Sequence, residues 1–242
     1  LELLNQLPDM DAVIVPIGGG GLISGVAYAV KSLKPSCKVY GVQATGAPSM
    51  LNSLEHHHRE ELSTVSTVAD GIAVKAPGDL TYDLCSKYVD EVVTVTDDEI
   101  ATAILTLIEQ QKLITEGAGA VSAAAALFGK VPLEGKKTVC LLSGGNIDVT
   151  ILSRIISRGL LKTGRSADFT IELQDKPGQL KEIAAIIADL GANVVAVHHD
   201  HSGENTDITA CVLNIAMETK DHAHIRQIRD ALDSAGYKIV KS

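Results

Sequence analysis

Four consecutive glycines, at residues 18–21, constrain the fold of this chain more than any other stretch. They follow an apolar run at residues 12–15 that indicates a buried strand, and they precede apolar residues at helical spacing from Leu22 to Leu33. Glycines at such a joint let several backbone N–H groups point to one place, in front of the positive end of the helix. The stretch therefore predicts a phosphate-binding turn in a fold of strands and helices.

The spacing of these glycines argues against two common phosphate motifs. Ile23 occupies the last glycine position of GxGxxG counted from Gly18, and Ser24 occupies the one counted from Gly19. No GK[ST] triplet follows, so dinucleotide and Walker A sites are poorly supported. A phosphorylated cofactor or metabolite is left as the predicted ligand. The alternative is a plain strand-to-helix turn, which needs only one or two glycines.

Three further motifs follow along the chain, at residues 69–74 (ADGIAV), 115–120 (TEGAGA) and 141–146 (LLSGGN). Together with the glycine stretch, and in this order, they resemble the pyridoxal-phosphate enzymes of the threonine dehydratase and serine racemase group. The resemblance covers residues 12 to about 165. It implies fold type II, the tryptophan synthase beta-like fold, with pyridoxal 5′-phosphate as the cofactor and an amino acid as the substrate.

The resemblance also implies roles for individual residues. The four glycines would hold the phosphate, Gly71 would let the backbone approach the cofactor ring, and Ser143 would face the pyridine nitrogen, with a simple turn residue as the alternative. We interpret Glu116 as a helix cap, with a pocket-lining role as the alternative, and expect Asn146 to stabilise the second glycine turn. The residues assigned to the cofactor are Gly18, Gly19, Gly20, Gly21, Gly71, Ser143 and Gly144.

The implied chemistry is elimination from a hydroxy-amino acid, which loses its α-proton and then its β-hydroxyl, and whose product breaks down to a 2-oxo acid and ammonia. A hydroxyl at Ser143 would leave the cofactor ring neutral, which elimination tolerates. The family's Schiff-base lysine lies in an SxKxR-like motif upstream of the glycines, and no lysine here has that context. We therefore assign no catalytic residue, and we expect this chain to be the C-terminal part of a longer protein and to be inactive alone. The first residue, Leu1, is not Met, which favours the same expectation.

Residues 11–165 alternate short apolar strands with helical patterns, which predicts a doubly wound α/β layer with a parallel sheet. Strands are predicted at residues 13–17, 38–43, 89–95 and 138–142. Helices are predicted at residues 22–33, 47–54, 79–87, 97–111, 119–128 and 149–161. A capping box of Thr96 and Glu99 opens the helix predicted at 97–111.

The pattern changes after a polar linker at residues 162–166. Strand and helix signals then follow the order βαββαβ of a ferredoxin-like unit, with its third strand predicted at residues 207–216. Residues 175–180 (DKPGQL) resemble the DxPGxL turn of ACT domains, small modules that often bind amino acids and regulate metabolic enzymes. We expect residues 1–163 to be the C-terminal part of the catalytic domain and residues 167–242 an ACT regulatory domain.

The turn at the start of a helix offers N–H groups to a carboxylate. We expect Pro177 to set the turn and Gly178 to allow a close backbone approach. An amino-acid effector, isoleucine or valine, is expected to bind there at a subunit interface, and the alternative is an ACT domain that only holds an oligomer together. The residues assigned to the effector are Asp175, Lys176, Pro177, Gly178, Gln179, Leu180 and Asn193.

Apolar alternation on strand edges favours side-by-side pairing of two ACT domains, in a homo-oligomer that is a dimer or tetramer. The alternating residues are Val194 with Ala196, and Ile208, Ala210 and Val212.

No metal site is predicted. The carboxylate pair that binds a divalent cation in serine racemase relatives is missing from residues 43–49. The histidines at residues 56–58 lie in a charged stretch that indicates an exposed loop. His199 and His201 form an HxH pair without a visible third ligand, and either His198 or His199 is a candidate for effector contact.

Composition narrows the remaining function classes. A net charge of −9 and the absence of Trp argue against nucleic-acid binding, and the apolar runs are shorter than the roughly 18 residues of a membrane span. We expect a cytoplasmic protein with reduced thiols at its scattered cysteines, Cys37, Cys85, Cys140 and Cys211. The leading hypothesis is part of a threonine or serine ammonia-lyase. The alternatives are a free-standing effector-binding module without catalysis, or another amino-acid lyase of this fold.

Overall fold

The computed structural model describes residues 1–200 and 210–241. The chain divides into two compact units, Leu1–Ile156 and Ser157–Ser242. No helix in the described ranges combines the length and the apolar character needed to cross a bilayer.

The first unit contains four parallel strands in the order β3-β2-β1-β4. Every residue of the central strand β1 is buried, as the apolar run at its position predicts. Because β1 and β4 are adjacent and parallel, the loops that follow them lie at the same edge of the sheet. The strands are β1 (Ala12–Pro16), β2 (Lys38–Ala44), β3 (Glu91–Val95) and β4 (Thr138–Cys140).

Helices cover both faces of this sheet, so alternate residues of β1 belong to two different cores. Ile14 packs with residues of α5 and α6, and Val13 packs with residues of α2. The predicted doubly wound architecture is therefore confirmed. The helices are α1 (Glu2–Gln6), α2 (Gly21–Leu33), α3 (Ser49–Glu55), α4 (Asp79–Tyr88), α5 (Asp97–Thr106) and α6 (Gly117–Leu127). A further helix, α7 (Val149–Lys162), begins in this unit and ends in the second.

The capping box of α5 is confirmed. The Thr96 hydroxyl accepts the N–H of Glu99, and the Glu99 carboxylate accepts the N–H of Thr96. The prediction of one continuous helix to residue 111 is wrong, because the chain widens into a π-helical turn at Leu107–Gln111. Lys112 ends this turn with a left-handed backbone (φ 58°), and its N–H reaches back to the carbonyl of Leu107.

The second unit is an antiparallel sheet in the order β6-β7-β5-β8. This order, with one helix after β5 and one after β7, confirms the ferredoxin-like arrangement. Phe169 and Ile171 of β5 are fully buried against Ile183 of α8 and Ile228 of α9. The elements are β5 (Ser166–Gln174), α8 (Gln179–Asp189), β6 (Asn193–Asp200), β7 (Ala210–Glu218), α9 (His222–Ser234) and β8 (Lys238–Lys241).

A bulge in the edge strand β6 changes which of its residues share a face. Val194 pairs with Met217, whereas Ala196 pairs with the next residue of β7, Ala216. Consecutive residues of a strand point to opposite faces, so Val194 and Ala196 do not share a face as predicted. Val195, at the bulge, is 62% exposed. Ile208, and the start of the strand predicted from residue 207, lie outside the described residues.

Candidate functional site

The loop after β1 has a backbone that only glycine accommodates at Gly20. Gly20 is left-handed (φ 94°) and immediately precedes α2. A Cβ on this residue would lie 2.8 Å from both the Met50 Cε and the Thr81 Cβ. The turn into α2 therefore depends on a glycine at this position for both conformational and steric reasons.

The carbonyls of the same loop are held by side chains. The Thr81 hydroxyl donates to the carbonyl of Gly19 (2.5 Å), and the Ser24 hydroxyl donates to that of Gly20 (2.6 Å). Within residues 1–200 and 210–241, the N–H groups of Gly19 and Gly20 have no protein acceptor. The loop thus presents unpaired donors near the N-terminus of α2, as an anion requires.

Two of the four glycines border open space. A Cβ on Gly19 would meet only Val74, at 4.0 Å, and one on Gly21 would meet nothing within 4 Å. Side chains at these two positions would fill space in front of the helix rather than collide with the protein. Steric contact with the protein therefore does not require glycine at either position.

The loop after β4 forms a second wall and is fixed by the start of α6. The Thr115 hydroxyl and the Glu116 N–H donate to the carbonyl of Gly144, at 2.9 and 3.3 Å. A Cβ on Gly119 would lie 1.9 Å from the Ser143 carbonyl oxygen, so the helix and the loop are in direct backbone contact. This contact sets the position of Ser143.

Gly71, in a short 3₁₀ turn at Asp70–Ile72, completes the enclosure. A Cβ on Gly71 would lie 3.0 Å from the Ala118 Cβ and 3.2 Å from the Glu116 Oε1. The backbone of this turn therefore packs closely against the start of α6.

These walls enclose a cavity of about 230 Å³. It brings together six of the seven residues predicted to contact the cofactor, although they come from three separate motifs. Gly144 is next to the cavity but does not line it. The lining residues are Pro16, Gly18, Gly19, Gly20, Gly21, Leu22, Gly71, Ile72, Glu116, Ala118 and Ser143. N–H donors at one end and a neutral hydroxyl at Ser143 fit a phosphorylated heterocycle such as pyridoxal phosphate.

The interpretation of Glu116 as a helix cap is wrong. Glu116 occupies the N-cap position of α6, but its side chain makes no capping hydrogen bond. Instead, the carboxylate lines the cavity and packs beside Gly71 and Gly144. Gly144 has φ +81°, and a Cβ there would lie 2.1 Å from the Glu116 Oε1, so this carboxylate fits only against a glycine.

Asn146 does not stabilise the second turn through a hydrogen bond to any described residue. Thr115 and the backbone of Glu116 hold that turn instead. Asn146 lines a neighbouring cavity of about 430 Å³, which shares Glu116 with the first and also includes Asp70 and Asp148. The Asp148 carboxylate accepts the N–H groups of Thr150 and Ile151 at the start of α7.

Sequence reasoning missed two residues that position this site. Thr81 lies in α4 and belongs to no motif, so only the tertiary contact with Gly19 reveals it. Gln43 is fully buried, and its Oε1 accepts the N–H groups of Met50 (3.0 Å) and Leu51 (2.9 Å). Gln43 therefore anchors α3, whose Met50 supports the glycine loop.

In the second unit, the predicted effector turn is exposed between β5 and α8. Gly178 precedes α8 with φ +100°, and a Cβ there would meet nothing within 4 Å. The expected close backbone approach is therefore absent from the described chain. The left-handed conformation is the reason for glycine at this position.

Asn193 lies at the opposite end of the sheet from this turn. Asn193 pairs with Glu218, which also pairs with Ser166 at the start of β5, whereas the turn follows Gln174 at the end of β5. About eight residues of strand, or roughly 25 Å, separate the two places. The Asn193 amide donates to the Glu218 carboxylate (3.0 Å). The chain therefore does not bring Asn193 to the turn within one copy.

The four cysteines form no disulfide. Burial raises the pKa of the Cys85 and Cys140 thiols, so both are neutral at neutral pH. The histidines at residues 56–58 are exposed, and the ring of His56 contacts Glu60 at 2.6 Å. His201, the second member of the predicted HxH pair, lies outside the described residues, whereas the His199 Nε2 lies 2.9 Å from the Cys211 Sγ.

The fold and the cavity define a doubly wound α/β domain with an anion-binding glycine loop, followed by a ferredoxin-like domain. A sequence profile of the family described as pyridoxal-phosphate dependent enzymes matches residues 1–144, and a profile of the ACT domain matches residues 162–236. The chain belongs to the pyridoxal-phosphate dependent enzyme family, and its C-terminal part is an ACT domain.

Individual relatives agree with this assignment. The chain is 48% identical to an L-threonine ammonia-lyase of Thermotoga maritima and 43% identical to one of Geobacter sulfurreducens. Both matches cover 99% of this chain, but only 59% and 60% of the relatives. Among solved structures, the processed form of threonine deaminase isoform 2 from Solanum lycopersicum matches with a TM-score of 0.61 and 39% identity, over 65% of this chain and 46% of that one. The chain thus spans about 60% of the length of the two ammonia-lyases.

Proposed function

We propose that this chain is part of a pyridoxal-phosphate-dependent ammonia-lyase that converts L-threonine, or L-serine, to a 2-oxo acid and ammonia. The observation that carries the proposal is the cavity in which the glycine loop, Gly71 and Ser143 meet. The names of the two ammonia-lyase relatives support the reaction type.

Each wall of the cavity has a role in this proposal. The N–H groups of the glycine loop bind the phosphate, and the hydroxyl of Ser143 meets the pyridine nitrogen without giving it a full charge. When bound, the cofactor supplies the electron sink for loss of the substrate's α-proton. The neutral hydroxyl of Ser143 would leave the cofactor ring uncharged, which would suffice for elimination of a β-hydroxyl. We assign the adjoining cavity, with Asp70 and Glu116 in its lining, to the substrate.

In this family a lysine in an SxKxR-like motif binds the cofactor covalently, and no lysine of residues 1–242 lies in such a motif. We place it in the part of the longer relatives that this chain does not span, so residues 1–242 alone are inactive in this proposal. In the same view, residues 1–163 are the C-terminal part of the catalytic domain and residues 167–242 are the regulatory domain.

Two alternatives make different predictions. A free-standing effector-binding or oligomerisation module would have no coding sequence for an SxKxR-like motif upstream of Leu1. Another amino-acid lyase of this fold would retain the cofactor but would not release 2-oxobutyrate from L-threonine.

The experiment that tests the proposal uses the full-length protein. We expect a visible absorbance band from the bound cofactor and release of 2-oxobutyrate from L-threonine, with L-serine assayed in parallel to establish the preference. A colourless and inert full-length protein would overturn the proposal.

For the second unit we propose regulation by a branched-chain amino acid, isoleucine or valine, in a cytoplasmic homo-oligomer paired through its ACT domains. Support comes from the exposed helix start after Gly178 and from β6, an edge strand that exposes Val195 and Val197. Because Asn193 and the turn lie at opposite ends of one sheet, a site that uses both combines two copies. Different affinities for two quaternary arrangements would couple the sites by about 1–3 kcal/mol.

Calorimetry of this chain against isoleucine, valine, threonine and serine tests the regulatory proposal without the missing lysine. We expect one of the branched-chain amino acids to bind at or below millimolar concentration. A dimer that binds none of them would leave the ACT domain with a purely structural role.

A further inference from the structure

Three side chains with metal-binding atoms meet at one end of the ACT sheet. The register pairs Leu173 with Cys211, and His199 with Leu213. Residues two apart in a strand share a face, so Asp175, Cys211 and His199 form a row across β5, β7 and β6 on one face of the sheet. Asp175 follows β5 directly, where the chain begins the DKPGQL turn.

The ligand atoms of the three residues are close enough to share one ion. Each offers one atom, and the three atoms lie within 4.8 Å of one another. The His199 Nε2 and the Cys211 Sγ lie 2.9 Å apart. Ligands of a tetrahedral zinc ion lie roughly 3.3–3.8 Å apart, because each metal–ligand bond is about 2.0–2.3 Å long. Small side-chain adjustments would therefore bring all three ligands into contact with one ion.

The types of ligand atom favour a borderline-soft metal ion, and the exposure of two of the three residues gives the ion access. One imidazole nitrogen, one thiolate and one carboxylate match zinc better than magnesium or calcium, which prefer oxygen ligands alone. Cys211 is 1% exposed, whereas Asp175 and His199 are exposed, so an ion can enter from the solvent side. Burial, and then the charge of Asp175, raise the pKa of the Cys211 thiol. An arriving ion must therefore displace the thiol proton.

We propose that Asp175, His199 and Cys211 bind a divalent transition-metal ion of the zinc type, with water as the fourth ligand. Among the residues that the structure describes, this is the one group of three such side chains with ligand atoms this close together. The site joins the end of β5, where the DKPGQL turn starts, to β6 and β7. A bound ion would hold the first residue of that turn against the sheet. The inference does not rest on amino-acid binding, because its test uses the metal alone.

The competing explanation is a simple hydrogen bond between His199 and Cys211 that contributes to the sheet edge. A thiolate–metal bond distinguishes the two explanations. Cobalt(II) occupies zinc sites, and its bond to a thiolate gives a charge-transfer band in the near ultraviolet. The exposed histidines at residues 56–58 can also bind metal, but they cannot give this band without a cysteine.

The experiment titrates this chain with Co²⁺ and then displaces the Co²⁺ with Zn²⁺. We expect the thiolate band to saturate at one Co²⁺ per chain and to disappear when Zn²⁺ is added. Cys211→Ala should abolish the band. His199→Gln changes only an exposed side chain. It should weaken Co²⁺ binding at least about tenfold, because even the loss of a group that supports a ligand has an effect of that size.

His198→Gln is the matched control, because His198 is the neighbouring exposed histidine and pairs with Asn214, on the opposite face from Leu213 and His199. This variant should bind Co²⁺ as the unmodified chain does. The proposal is overturned if the unmodified chain gives no thiolate band at millimolar Co²⁺. It is also overturned if His199→Gln and His198→Gln bind Co²⁺ equally well.

Discussion

The hydroxyl of Thr81 donates a hydrogen bond of 2.5 Å to the carbonyl of Gly19, which lies 62 residues earlier in the chain. The N–H of Gly78 also approaches that carbonyl, at 3.3 Å. Helix α4 and the residue before it therefore hold the carbonyl, while the N–H groups of Gly19 and Gly20 have no acceptor within the described part of the chain. The glycine loop and α4, which are distant in sequence, thus together determine which backbone groups of the loop are available to a ligand.

Thr81→Val tests this relationship, because valine keeps the shape of threonine and removes the hydroxyl. We expect a loss of about 1 kcal/mol in the free energy of unfolding, the usual contribution of one hydrogen bond. In the full-length protein we also expect cofactor affinity to fall about tenfold, equivalent to about 1.4 kcal/mol, since a freed carbonyl can turn toward the phosphate.

Thr106→Val is the control for that substitution, because its hydroxyl bonds to the carbonyl of Thr102 within α5. Cofactor affinity should be unchanged in this variant. Equal cofactor affinities in the two variants would show that Thr81 has no part in shaping the site.

Asp90 predicts a pH-dependent stability. Its carboxylate contacts Lys31 (2.6 Å) and Lys38 (2.8 Å) and accepts the N–H of Val39 (2.8 Å). Burial raises the pKa of Asp90, but these three donors outweigh burial and hold the pKa below its ordinary value of 3.8. The stabilisation is therefore complete above that ordinary value and is lost as the pH falls through the lower pKa of the folded state.

Asp90→Asn should lower the free energy of unfolding by about 1–3 kcal/mol at pH 7, a range typical of hydrogen bonds to charged groups. Urea unfolding measures this difference, which should shrink steadily as the pH falls below 3.8. Asp9→Asn is the control, because Asp9 and Lys137 form an ion pair on the surface and its loss should change little. A difference at Asp90 that persists undiminished in acid would contradict this account.

Asn193→Ala tests whether the effector site combines two copies of the chain. We expect the variant to lose most of its affinity for the branched-chain amino acid in calorimetry, although Asn193 lies roughly 25 Å from the turn of its own chain. Asn214→Ala is a suitable control, because Asn214 is an exposed asparagine in the middle of β7. Unchanged binding by Asn193→Ala would restrict the site to the turn.

The fold was predictable because its signals are local. The glycine stretch, the capping box at Thr96 and the DKPGQL turn each specify a backbone conformation within a few residues. The π-helical turn at Leu107–Gln111 was not predictable, because no proline or glycine interrupts the helical pattern there. The bulge at Val195 also escaped prediction, since the run of apolar residues in β6 continues through it.

Residues of the site could be predicted from the sequence only where they belong to a recognisable motif. Gly71 and Ser143 were identified from their motifs, and the structure places both in the cavity with the glycine loop. Thr81 and Gln43 act through contacts with residues that are distant in sequence or buried, which no local pattern encodes. The role of Glu116 was predicted wrongly because it too depends on contacts with residues that are distant in sequence. A carboxylate at a helix start predicts a cap, but Gly71 and Gly144 leave space that draws its side chain into the cavity.

The most direct test of the central claim is the amount of pyridoxal phosphate retained per chain by full-length Gly19→Asp protein. A side chain at Gly19 would meet only Val74, at 4.0 Å, so aspartate should fold normally and place a negative charge where the phosphate binds. The matched control is Gly25→Asp, at an exposed helical position of α2 where a Cβ meets nothing within 4 Å and which does not line the cavity. We predict that Gly19→Asp retains almost no cofactor while the control retains as much as the unmodified protein. Equal retention by all three proteins would contradict the account and reduce the glycine loop to a turn.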